Sequence, residues 1–173
     1  MIPGYLLSSP LGDIALRVED DALTGVYFIG QKHYPGLVMM PDDQHVPRVV
    51  RIAQEQLTEF FRGERRAFDV PLRRRGTPLQ EQVWAELARI PYGEMISYGA
   101  MARKMGLSPG HSRAVGTANG KNPISIIVPC HRVIGAGGDL TGYAGGVDRK
   151  RALLALENAT GMPDFEFKLV GQA

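Results

Sequence analysis

Cys130 is the chain's one cysteine, and His131 and Arg132 follow it directly. A thiolate, not a thiol, is the nucleophile, and an imidazole or a guanidinium beside the sulfur favours the charged form. A nucleophile next to a base is the first requirement of covalent chemistry at sulfur. Neighbouring side chains in an extended chain point to opposite sides, so contact between Cys130 and His131 needs a bend or a bridging water. A lone cysteine is just as often a small buried hydrophobe, and adjacency alone leaves both readings open.

The elements that must place this pair begin with residues 124–128, Ile-Ser-Ile-Ile-Val, a β-branched run of the kind that forms a buried strand. Pro129 has no N–H for a ladder and ends that run, so Cys130 is expected at a strand exit. Residues 135–146 hold six glycines in twelve positions. No Gly-Lys-Ser/Thr follows them and no G-x-G-x-x-G opens a helix, which excludes a nucleotide phosphate loop. Backbone N–H groups brought close to a flat ligand suit this composition better. Asp148 is expected to cap a final helix with Ala152, Leu153 and Leu156 buried and Glu157 turned inward.

Upstream, residues 4–9, 13–19 and 23–30 read as three short strands, with alternation in Ile14, Leu16 and Val18 indicating a half-buried sheet. Residues 31–47 read as a loop. From 46 to 62, Val49, Ile52, Ala53, Leu57, Phe60 and Phe61 recur at helical spacing, and Gly63 ends the run. Residues 68–72 return to strand, and Arg73-Arg74-Arg75-Gly76 forms a charged hinge. These features predict an α/β domain over 1–76 and a second domain over 77–173.

Thr77-Pro78-Leu79-Gln80 has the form of a capping box, opening a helix to about Ile90 with Val83 and Trp84 in the core. Ser97 is expected to cap a second helix through Tyr98, Met101 and Ala102 to Gly106. Ser108-Pro109 opens a third with Arg113, Ala114, Val115, Ala118 and Asn119. Two short helices joined by a tight turn make a helix-turn-helix candidate, and small side chains let a helix backbone lie close to a sugar-phosphate chain. Helix pairs of this kind also occur in ordinary cores.

The chain has 173 residues, 44% of them hydrophobic and 22% charged, the balance of a soluble globular protein. It lacks an apolar run long enough to span a bilayer and a signal-like N-terminus, so a cytoplasmic location is expected. One cysteine excludes an internal disulfide and a cysteine-rich zinc site, and the four histidines show no paired metal spacing, so neither metal nor cofactor is expected. The net charge of +2 is uneven. Residues 77–151 carry nine Lys and Arg against five Asp and Glu, giving +4, whereas Glu157, Asp164 and Glu166 against Lys168 leave the tail at −2. The basic part coincides with the motifs, which suits a polyanionic partner.

PCHRVIG at 129–135, LTGYAGG at 140–146, Arg149-Lys150, Leu153-Leu154 and Glu157 together resemble the active-site segment of the O6-alkylguanine-DNA alkyltransferases. Thr77-Pro78-Leu79-Gln80, Val83-Trp84, residues 90–94, Ser97-Tyr98-Gly99, residues 113–116 and Asn122-Pro123 fall in that family's order. The resemblance implies an α+β chain: a small N-terminal antiparallel sheet plus helix of ribonuclease H-like type, then a mostly helical domain with a helix-turn-helix. It implies irreversible, stoichiometric transfer of an alkyl group from O6-alkylguanine in flipped-out DNA to Cys130, with O4-alkylthymine a second expected substrate.

By the same resemblance His131 takes the thiol proton through a water, Glu157 orients His131, Asn122 braces the turn before the strand, and Tyr98 donates to the leaving purine. Arg113 fills the gap left by the flipped nucleotide, with Ser97, Tyr98, Ala114 and Gly116 at the DNA surface. Val133, Tyr143, Ala144 and Gly145 line the base pocket. The implied partner is double-stranded DNA carrying alkylated bases, bound by a monomer, with cooperativity along DNA left open. Ala144 stands where some members have serine, and the zinc ligands and cysteine-rich domain of other members are absent.

Two other readings use the same residues. A cysteine hydrolase would employ Cys130, His131 and Glu157 but regenerate its thiol. A lesion-binding protein without chemistry would share the fold, and Cys130 argues against it.

Overall fold

The computed structural model describes residues 2–41 and 45–158; Asp164, Glu166 and Lys168 of the acidic tail lie outside the described residues. The chain packs as two compact units, Met1–Arg74 with Pro123–Ile127, and Arg75–Asn122 with Val128–Ala173.

In the first unit, β1 (Pro3–Leu7), β2 (Ile14–Glu19), β3 (Ala22–Phe28) and β4 (Val38–Met39) form one sheet in the order β3-β2-β1-β4. The first three pair antiparallel and β4 pairs parallel to β1, with Pro3 opposite Val38 and Gly4 opposite Met39. The sheet is therefore mixed, and the segment expected to be a loop supplies a strand. Gly4 makes this possible, because a Cβ there would lie 2.8 Å from the Leu37 Cβ.

The expected apolar alternation is lost in β2 and β3, where Ile14, Ala15 and Leu16 are all buried and β3 is buried throughout. Both faces of the sheet are covered, which removes the reason for alternation. Helix α1 (Arg48–Phe61) buries Val49, Val50, Ala53, Leu57 and Phe60 and packs against β2 and β3. Ala15 and Tyr27 pair across the sheet and cluster with Leu37, Tyr34 and Met39 from the following segment. α1 ends in a Schellman motif, with Gly63 N donating to Phe60 O and Glu64 N to Glu59 O, and Gly63 at φ 76°.

Two predicted strands are only single bridges onto β3. Leu23 pairs with Leu72 through Leu23 N to Pro71 O (2.8 Å) and Arg73 N to Leu23 O (3.0 Å), and Pro71 has no N–H to extend the ladder. Val26 pairs with Ile124 through Val26 N to Pro123 O (2.9 Å) and Ser125 N to Val26 O (3.1 Å). The chain then turns at once: Ile127 N donates to Ser125 O at 2.8 Å around Ile126, whose φ is 72°. This is a γ-turn in its rarer, left-handed form, and it replaces the strand expected over 124–128. The two bridges use backbone groups that an edge strand would otherwise expose.

In the second unit, α2 (Pro78–Leu87) opens on the capping box, Gln80 N donating to Thr77 Oγ1 (3.2 Å) and Thr77 N to Gln80 Oε1 (3.0 Å). Val83, Trp84 and Leu87 are buried, and the Trp84 indole N–H donates to Ala118 O at 2.9 Å. β5 (Ile96–Ser97) leads directly into α3 (Tyr98–Lys104), whose N-cap Ser97 Oγ accepts from Ala100 N at 3.0 Å. Gly106, at φ 77°, ends α3 in a second Schellman motif, and a 3₁₀ turn at Pro109–His111 precedes α4 (Ser112–Gly120). α3 and α4 pack together and α4 packs on α2, so the helix pair predicted from the sequence is present.

β6 (Val133–Ile134) pairs parallel with β5, setting Val133 opposite Ile96 and Ile134 opposite Ser97. α5 (Val147–Leu156) starts from Gly146 at φ 94°, not from Asp148, which lies in the first turn 3.5 Å from Arg151. Lys150 N donates to Gly146 O, which fixes the cap earlier than the side chain suggested. Its buried residues are Lys150, Leu153 and Leu154; Ala152 and Leu156, expected inside, are half-buried. No described helix is long and apolar enough to cross a membrane.

Candidate active site

Cys130 opens a 3₁₀ turn, Cys130–Arg132, entered through a tight bend at Pro129. Cys130 N donates to Val128 O at 2.8 Å around Pro129 at φ −82°, ψ 67°, the geometry of an inverse γ-turn. The bend requires an acceptor held in place, and Asn122 Nδ2 donates to that same Val128 carbonyl at 2.8 Å. Asn119 Nδ2, from α4, donates to Cys130 O at 3.3 Å. Asn119 carries no sequence signal, since an asparagine late in a short helix reads as an ordinary polar residue.

Cys130 is 3% exposed and His131 fully buried. His131 Nε2 lies 2.7 Å from Glu157 Oε2. Glu157 is one residue past α5 and receives His131, Arg132 Nε at 2.8 Å, Arg132 Nη2 at 2.9 Å and Gly93 N at 3.3 Å. Burial pushes its pKa up, but the hydrogen bonds of His131 and Arg132 and the charge of the guanidinium outweigh this and hold it down at about 2. An ionised carboxylate can only accept, so His131 carries its proton on Nε2 and presents Nδ1 as a lone pair. Nδ1 has no hydrogen-bond partner among the described residues. Burial lowers the His131 pKa, resisted by Glu157 and reinforced by Arg132 and Lys150, so the imidazole is neutral at pH 7.

Arg132, expected beside the sulfur, directs its guanidinium elsewhere. Its donors go to both Glu157 oxygens and to Ile90 O at 2.6 Å, and the group lies 5.8 Å from the Tyr92 ring centroid. It reaches His131 through their shared partner, Glu157.

Tyr98, first residue of α3, donates from Oη to Thr141 O at 3.0 Å. Burial first, then the charge of Cys130, push its pKa up to about 12, with an Asn119 side-chain hydrogen bond opposing them. The phenol is thus a secure proton holder near neutrality. Gly142, at φ 77°, permits this approach, since a Cβ there would stand 2.8 Å from Tyr98 Oη.

Ser97, Tyr98, Arg113 and Gly116 line one open cavity of about 690 Å³, with Arg103, Ser112, Thr117 and Thr141 also in its wall. Arg113 is exposed and Ala114 half-buried on α4. No carboxylate lines this cavity, which carries two guanidinium groups. Of the other predicted site residues, Val133, Tyr143 and Gly145 are buried and Ala144 half-buried; none of these four, nor Cys130, is among the cavity walls. Among the described residues no three His, Cys, Asp or Glu side chains are grouped to hold a metal ion.

In sequence and fold the chain is similar to known proteins. Residues 78–159 match the 6-O-methylguanine DNA methyltransferase, DNA binding domain family. The chain is 48% identical over 157 residues to the methylated-DNA–protein-cysteine methyltransferase of Mycolicibacterium paratuberculosis, covering 91% of this chain and 93% of that one. It is 43% identical to the constitutive enzyme of that name from Bacillus subtilis, over 84% and 88% of the two chains. The crystal structure of Mycobacterium tuberculosis OGT in complex with DNA superposes with a TM-score of 0.81 at 44% identity, covering 96% of this chain and 99% of that one. Identity at this level over nearly the whole length leaves one conclusion: the chain belongs to the methylated-DNA–protein-cysteine methyltransferase family.

Proposed function

We infer that this protein repairs DNA by direct reversal, moving the alkyl group of an O6-alkylguanine in duplex DNA onto Cys130 in a single turnover. The observation that carries this reading is the buried pair Glu157–His131, which leaves a neutral imidazole nitrogen, without a hydrogen-bond partner among the described residues, on the residue that follows the chain's one cysteine. The thiol proton passes to His131 Nδ1, through a water in the arrangement the family resemblance implies. The sulfur attacks the alkyl carbon, the S–C bond forms, and the C–O6 bond breaks with its electron pair left on the guanine. Tyr98 offers its proton to the departing ring, and the guanine's gain of one proton balances the one lost by the thiol. A thioether does not hydrolyse in water, so the protein is consumed.

The lesion must leave the helix to reach the sulfur, and extrusion costs a few kcal/mol of stacking. Arg113, exposed on α4 at the cavity, is the side chain that takes the vacated place in the stack. Val133, Tyr143, Ala144 and Gly145 receive the base, and Asn122 holds the turn that presents Cys130. O4-alkylthymine offers the same leaving-group chemistry.

Intact-mass measurement after incubation with duplex DNA carrying O6-methylguanine tests the reading. A gain of one methyl group, mapped to Cys130 and capped at one per chain, is expected, with none in Cys130→Ser. Repeated turnover with the thiol regenerated would establish the hydrolase reading instead.

A further inference from the structure

Lys150 is the one lysine that the described structure buries completely, and the reaction above gives it no part. A buried ammonium is costly unless its donors are paired. Both identified partners are backbone carbonyls: Nζ donates to Val133 O of β6 at 2.5 Å and to Thr141 O of the glycine-rich segment at 2.8 Å. Neither is a carboxylate, so the positive charge is not neutralised by these contacts.

The Thr141 carbonyl has a second donor, the Tyr98 hydroxyl at 3.0 Å. Lys150 and Tyr98 therefore meet at one oxygen, and Nζ lies 5.8 Å from the Tyr98 ring centroid, within reach of a favourable cation–π contact. Thr141 is also part of the cavity wall. When Tyr98 turns its proton to a departing purine, it must release that carbonyl while the base shields it from water.

We propose that Lys150 is the positioning residue for Tyr98: it fixes the Thr141 carbonyl on which the hydroxyl rests, keeps that carbonyl satisfied once the hydroxyl leaves, and sets a positive charge against the ring as negative charge develops. This rests on the alkyl-transfer reading above. The titratable groups that the ammonium acts on are Tyr98 of α3, by the ring contact, and Cys130 and His131 of the 3₁₀ turn, by charge. Burial holds the Lys150 pKa down to about 8, with Cys130 pulling it upward, so the charge is lost as pH rises through that value.

The test is the single-turnover rate of methyl transfer from O6-methylguanine duplex, measured against pH for wild type, Tyr98→Phe, Lys150→Met and the double variant. Lys150→Met is expected to slow transfer about tenfold when Tyr98 is present, the scale of one lost hydrogen bond, and less than about twofold in Tyr98→Phe. The wild-type rate should fall as pH passes about 8, and Tyr98→Phe should lose that descent. Equal fold-losses in both backgrounds, or a descent that survives in Tyr98→Phe, overturn the proposal. If Lys150→Met does not fold, the pH comparison of wild type with Tyr98→Phe decides alone. A wild type that gains no methyl group sinks the alkyl-transfer reading itself, a result distinct from either.

Discussion

Arg132 and Glu157 are joined by two parallel hydrogen bonds, 2.8 Å from Nε to Oε1 and 2.9 Å from Nη2 to Oε2, with both side chains buried. The same carboxylate receives His131, so a residue two places after Cys130 is tied to His131 through a partner 25 residues further on.

Arg132→Lys should separate charge from geometry. Lysine keeps the charge but cannot make the paired contact, so Glu157 is less firmly held and transfer should slow about tenfold, the cost of one lost hydrogen bond. Arg132→Met, which leaves the buried carboxylate without its main counter-ion, should cost about 3 kcal/mol in urea unfolding. A methionine variant of wild-type stability would mean that His131 and Gly93 suffice to hold Glu157.

Stability should fall on acidification, with two contributors of the same sign. Glu157 titrates in the fold at about 2, below its ordinary 4.5, so its contribution is full above the unfolded value and is lost as pH drops from there toward 2. His131 is held below 6.5 by burial, so the unfolded chain takes up its proton first and stability declines below that value. Thermal midpoints between about pH 7 and 3 should show the decline in wild type, and Glu157→Gln should flatten its acidic part.

Arg103 and Arg113 line the same cavity without an opposing carboxylate. Arg103→Ala should weaken binding equally to lesioned and undamaged duplex and lower the log–log salt slope by about one, as one lost phosphate contact does. Arg113→Ala should weaken lesioned duplex more than undamaged, if it fills the place of the extruded base as proposed. Anisotropy titrations over a range of salt concentrations distinguish them, and identical profiles would deny Arg113 its place in the stack.

Gly142→Ala should slow transfer about tenfold while leaving DNA affinity within about twofold, by about 1–2 kcal/mol of backbone strain and a displaced Tyr98 hydroxyl. The added Cβ would stand 2.8 Å from Tyr98 Oη at a φ of 77°. Single-turnover rates alongside binding constants check this, and an unchanged rate would show that the hydroxyl has room to move.

Several features of the molecule follow from local rules alone. The Thr77–Gln80 capping box, the Ser97 cap, the glycine stops at 63 and 106 and the helix pair all depend on residues close together in the chain. The adjacency of Cys130, His131 and Arg132 is likewise a property of the chain, and the motif order around it marked the family.

Other features needed partners distant in sequence. The β-branched run at 124–128 has strand propensity, but β3 offers it only Val26, and the chain turns at Ile126 to reach Pro129. The same distance hid the strand at Val38–Met39, which exists because Gly4 lets Leu37 approach. Lys150 reads as a solvated helix residue until the carbonyls of Val133 and Thr141 surround it. Which side chains stand next to Cys130, and where helices begin and end, is written in the order of the residues, since caps and the Cys-His adjacency are short-range. Which donor meets which acceptor depends on packing across the fold, because burial makes an unpaired polar group costly and so selects partners that lie far apart in the chain.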